Sequence, residues 1–118
     1  MQWQSIRLEL EPSREFPRGS ASRIYLLRLP LHDDGRIDDN ALAVAPAQAT
    51  VRRFWPNEPD LSGIVKASDD GWAFAFDEDG EILVRHRPHP IRLGESLVLT
   101  EPDGRERAFR VASLRALQ

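Results

Sequence analysis

The chemistry this sequence can offer is concentrated in its arginines and the aromatic residues beside them. Arg52 and Arg53 directly precede Phe54 and Trp55, and Arg85 and Arg87 alternate along one segment with Arg92 five residues later. A guanidinium fork holds phosphate or carboxylate through two parallel N–H bonds, and a neighbouring ring can stack on a base. Arg52, Arg53, Trp55, Arg85, Arg87 and Arg92 are therefore the candidate ligand-binding residues. The competing reading is a row of arginines on a solvated strand, paired with nearby acids, where each pair contributes little. Fifteen of the sixteen basic residues are Arg. That excess fits forked-donor chemistry, but together with abundant Ala and Pro it fits a GC-rich bacterial coding sequence better.

Other chemistries fail on spacing. The run Asp77-Glu78-Asp79-Gly80-Glu81-Ile82 looks like the middle of a calcium loop. With Gly80 at the sixth position, Ala75 falls at the first and His86 at the twelfth, where oxygen ligands are required. The same test on Asp33-Asp34-Gly35 puts Pro30 first and Ala41 twelfth. His86 and His89 are three apart, but Pro88 and Pro90 forbid the helix that would align their rings, and zinc needs three or four placed ligands. No Ser lies in a Gly-x-Ser-x-Gly turn, and no Gly-rich phosphate loop occurs. Cysteine is absent, which removes thiolate catalysis and disulfides together. The carboxylates at Asp69/Asp70 and Asp77/Asp79 sit at turns, where burial cannot tune them as general acids. The expectation is a protein without catalytic activity, metal or cofactor.

One fragmentary likeness is present. Arg14-x-x-x-Arg18, followed later by Asp60-Leu61-Ser62-Gly63, resembles in part the two signatures of PilZ cyclic-dinucleotide receptors, which are β-barrels of this size. Gly63 follows Ser62 directly instead of two residues later, the likeness covers only these fragments, and no binding residue is carried over from it.

The elements that must position these side chains are strands. Residues 4–10 alternate, with Ile6, Leu8 and Leu10 on one face and Ser5, Arg7 and Glu9 on the other, the pattern of a half-buried strand. Trp3 falls on the polar face, either exposed or covering an edge. Residues 11–22 hold Pro12, Pro17 and Gly19 and read as a loop, long for a hairpin connection and so a second place to look for function. In 23–31, Tyr25, Leu27, Leu29 and Leu31 share a face, and Pro30 belongs at an edge or strand end. In 50–55, Val51, Arg53 and Trp55 share one face and Thr50, Arg52 and Phe54 the other. Strands at 63–67, 72–76, 81–87, 96–100 and 107–114 follow, with turns written Asp69-Asp70-Gly71, Glu78-Asp79-Gly80 and Pro102-Asp103-Gly104. Leu97 and Leu99 are expected to pair with Phe109 and Val111 across the last turn. Asp38 or Asp39 can cap a short helix through Val44, stopped by Pro46, with an irregular loop as the alternative. Residues 114–118 are the other place for a helix.

Eight strands at roughly ten-residue spacing, without strand–helix–strand repeats, predict an all-β protein. The expected fold is a roughly eight-stranded antiparallel barrel or two-layer sandwich built from hairpins, with at most one or two short helices. A chain of 118 residues is expected to form one domain, residues 1–118, with a core that needs no disulfide. Net charge is −3, which gives no general pull towards nucleic acid or anionic membranes. Charge is uneven: eight acids face Lys66 alone between Glu58 and Glu81, whereas seven Arg outnumber four acids from Ile82 onward. No apolar run approaches the ~18–20 residues that span a bilayer, and the first residues lack a basic segment followed by an apolar one. The expected location is cytoplasmic. The expected function is a non-catalytic binding or accessory module, monomer or homodimer, whose partner is a protein or small anionic ligand. The alternative is a nucleotide- or nucleic-acid-binding barrel using the arginine–aromatic surface.

Overall fold

In a computed structural model, residues 1–68, 71–76, 82–86, 90–101 and 103–117 are described, with 68 and 82–86 as backbone only. Eight strands follow one another: β1 (Gln2–Leu10), β2 (Ser20–Leu31), β3 (Thr50–Phe54), β4 (Leu61–Ser68), β5 (Gly71–Phe76), β6 (Ile82–His86), β7 (Ser96–Thr100) and β8 (Glu106–Ala116). Each pairs antiparallel with its neighbour in sequence, and β1 pairs with β8 to close a barrel. Closure pairs every described strand on both sides, which removes the open ends of the sheet that invite aggregation. The β6–β7 ladder is described at one pair, Arg85↔Thr100.

Alternation decides what fills the barrel. Ile6, Leu8 and Leu10 of β1, Tyr25, Leu27 and Leu29 of β2, and Leu97 and Leu99 of β7 are all buried. Inward side chains pack an eight-stranded barrel as a core. Tyr25 lies at its centre, 5.5 Å from the Phe74 ring and edge-on to Phe109 at 5.2 Å. Gly63 of β4 permits a close approach: a Cβ there would stand 1.9 Å from the carbonyl oxygen of Ala75 on β5.

Two short helical turns occur in the β2–β3 connection. Helix α1 (Asp39–Val44) starts at Asp38, whose side chain accepts the amide of Ala41 at 3.0 Å, a standard N-cap. Pro46 then opens a 3₁₀ turn, Pro46–Gln48. Ile37, Leu42 and Ala49 from this connection, with Ile91, join the core at that end of the barrel. The opposite end, where β1–β2, β3–β4 and β7–β8 are connected, is the mouth.

The strands differ from expectation in detail. Strand β2 begins at Ser20, so the first loop spans 11–19. Pro30 lies inside β2 opposite Trp3, but beyond the β3 ladder, which ends at Arg28↔Thr50, so its missing N–H breaks no β2–β3 bond. Leu99 faces Arg107, not Val111, because the turn sets Leu97↔Phe109 and every pair after it. Residues 114–116 continue β8 against Gln4–Ile6 and form no helix. Trp3 is half-buried against the core. The turns at 69–70, 77–81 and 102, and His89, lie outside the described residues. No helix among the described residues is long and apolar enough to cross a membrane.

Candidate functional site at the barrel mouth

Three inward-facing polar residues, one each from β2, β3 and the segment after β7, meet inside the mouth. Tyr25 follows the parity of Leu27 and Leu29, Arg53 that of Val51, and Glu101 that of Leu97 and Leu99. The Tyr25 hydroxyl donates to Glu101 Oε2. Arg53 Nε lies 3.1 Å from Tyr25 Oη and 3.4 Å from Glu101 Oε2. Its Nη1 donates to Glu58 Oε1 at 3.1 Å, at the solvent boundary. Arg53 is 5% exposed and Glu101 2%, so both depend on each other; a buried charge left alone is costly.

Arg107 of β8 joins this interior group to the rim. Its Nη1 lies 3.7 Å from Glu101 Oε1, which accepts no hydrogen bond from the described residues. Arg107 Nε donates to Glu15 Oε1 at 2.9 Å, and Nη2 to Asp103 Oδ2 at 3.0 Å. Arg105 Nη1 also reaches Glu15 Oε2, at 3.3 Å.

These contacts set the proton affinities. Burial pushes the Glu101 carboxyl above its ordinary value, although Tyr25, Arg53 and Arg107 oppose the shift. Burial also raises the Tyr25 hydroxyl, reinforced by the Glu101 charge. Burial alone would lower Arg53, but Tyr25 and Glu101 outweigh it and the guanidinium is held charged. Hydrogen bonds from Arg107 lower both Glu15 and Asp103. The result is a dipolar floor in which burial makes Tyr25 resist deprotonation and the Glu101 side chain is fully enclosed.

Trp55 stands above that floor, one residue past the end of β3. The Arg53 guanidinium is 4.3 Å from its ring centre, and those of Arg23 and Arg107 are each 5.5 Å away. Phe16 meets it edge-on at 6.2 Å, and Arg23 lies 4.2 Å over the Phe16 ring. Arg23 reaches this place through a register shift: Glu9 pairs with Ile24 and Leu10 with Ser20, leaving residues 21–23 without partners in β1. Arg23 Nη1 donates to Ser20 Oγ at 3.2 Å, while its Nε is buried without an acceptor among the described residues. Among the described residues, no carboxylate pairs with Arg23, in contrast to Arg53 and Arg107.

The candidate residues with described side chains, Arg52, Arg53, Trp55 and Arg92, lie in different places. Arg53 and Trp55 come together at the mouth. Arg52, opposite in parity, lies on the outer face, 4.8 Å over the Phe54 ring. Arg92 belongs to the far end, where it donates to the Asp34 carbonyl at 3.0 Å and pairs with Glu95. Arg85 stands in β6 opposite Ala73, with β4 and β5 between it and β3. Arg87 lies outside the described residues. Sequence reasoning missed Tyr25, Glu101, Arg107 and Arg23 as members of the mouth. The available signal was parity, since Glu101 continues the inward row of Leu97 and Leu99. No group of three or more metal-ligating side chains occurs among the described residues. No family model, curated protein or solved structure matches the chain.

Proposed function

We propose that the chain is a non-catalytic binding module whose barrel mouth takes a small anionic ligand, with Arg23 and Trp55 as the principal contacts. The observation that supports this reading is Arg23: a guanidinium over the Phe16 ring and beside Trp55 at the rim, without a carboxylate partner among the described residues. An anion there would meet a forked donor, and the aromatic faces would suit a planar group beside it. Arg53 and Arg107 already have carboxylates and act as supports for Trp55. Inorganic phosphate tests the reading. A titration followed by two-dimensional ¹H–¹⁵N spectra is expected to move the Trp55 indole and the Phe16 and Arg23 amides saturably. Saturable shifts elsewhere, or none, would contradict it.

A second reading keeps the nucleic-acid alternative on a different face. Arg52 over Phe54 forms an exposed cation–aromatic pair on the outside of β3, of the kind that single strands stack against. Single-stranded DNA binding there would weaken steeply with salt as counterions are released, and binding that is absent or indifferent to salt would remove this reading.

A further inference from the structure

Residues 11–19 are built as a separate piece laid across the mouth. At nine residues the connection exceeds the usual two to five of a hairpin. It is tied to itself: the Ser13 amide donates to the Phe16 carbonyl at 2.9 Å, the Phe16 amide to Ser13 Oγ at 3.1 Å, and the Gly19 amide to the Phe16 carbonyl at 2.9 Å. Bonds worth about 1 kcal/mol each hold so short a loop only while its side chains are docked, and compact loops of this kind often carry function. Its ends suit a pivot. The Glu11 amide is anchored to the Ala108 carbonyl at 3.0 Å, Pro12 follows, and Gly19 has a φ of 69°.

The attachment to the barrel is made by side chains. Glu15 bonds Arg107 and Arg105, and Phe16 sits on Trp55 and under Arg23. A pocket of about 260 Å³ separates the first half of the loop from the start of β8, between Pro12–Arg14 and Arg105–Ala108. The loop is therefore pinned through Glu15 and Phe16, with open space beside the Glu15 contact.

We propose that residues 11–19 form a lid, latched by Glu15 on Arg107 and by Phe16 on Trp55, whose release uncovers Arg23 and Trp55. The inference rests on the reading of the mouth as the binding face. Glu15 is exposed, so its pairs are screened by salt, which suits a latch that must open.

Amide hydrogen exchange tests the lid without any ligand, so its failure is distinguishable from failure of the binding reading. In Glu15→Gln, the amides of Ser13, Phe16 and Gly19 are expected to exchange about three- to tenfold faster, with those of Tyr25 and Leu27 unchanged. Raising salt should accelerate the same three amides in the wild-type chain. Phe16→Ala provides a second variant that breaks the latch at its other contact. Unchanged exchange at all three amides in both variants would overturn the proposal, as would acceleration shared equally by the barrel amides.

Discussion

The hydroxyl of Tyr25 and the carboxylate of Glu101, 76 residues apart in sequence, bond to each other inside the barrel, and Arg53 donates to both. Tyr25→Phe keeps the ring among Phe74 and Phe109 but removes a donor from an enclosed carboxylate. Loss of such a partner costs about 1–3 kcal/mol, to be read from urea denaturation.

Adjacent arginines should behave differently. Arg53→Met strips the buried Glu101 of its closest cation and is expected to cost about 3–5 kcal/mol. Arg52→Ala loses an exposed contact with Phe54, worth about 0.5–1 kcal/mol. Denaturation midpoints of the two variants check the contrast; equal effects would refute the inward placement of Arg53.

The pH dependence follows from Glu101. Its carboxyl is raised in the folded state by burial, so the stability it contributes is present below the unfolded carboxylate range and is lost as pH rises through the folded value. Glu101→Gln cannot titrate. The wild-type chain's stability relative to Glu101→Gln should therefore fall as pH rises from about 4. Glu15 and Asp103 shift the other way, losing stability as pH falls, but they occur in both chains and cancel. Denaturation curves across a pH series give the difference directly.

Gly63→Ala should destabilise the β4–β5 pair. The added methyl would lie 1.9 Å from a backbone oxygen, which moves only with the strand. Overpacking of this kind costs about 1–3 kcal/mol, measurable as a lowered melting temperature.

Much of the barrel was legible because strand alternation is a local property. The shared face of Tyr25, Leu27, Leu29 and Leu31 and the opposite parity of Arg52 and Arg53 could be read residue by residue, whereas the short helix stopped by Pro46 was one of two readings, with its cap left between Asp38 and Asp39. The mouth was less legible. Glu101 beside a Pro-Asp-Gly turn has the look of a surface acid, and only closure of β1 on β8 encloses the space it enters. Arg23 depends on a register shift that no periodicity announces. Arg52 and Arg92 lie away from Arg53 because spacing along the chain says nothing about which face or which end of the barrel a residue reaches.

The most direct test of the binding face is the Trp55 indole resonance during a phosphate titration of the wild-type chain and of Arg23→Ala. Saturable movement in the wild type, weakened about tenfold or more in the variant as expected for loss of a charge-assisted contact, is the predicted result. Equal affinity in the two chains, or saturable movement confined to Arg52 and Phe54, would contradict the assignment of the mouth.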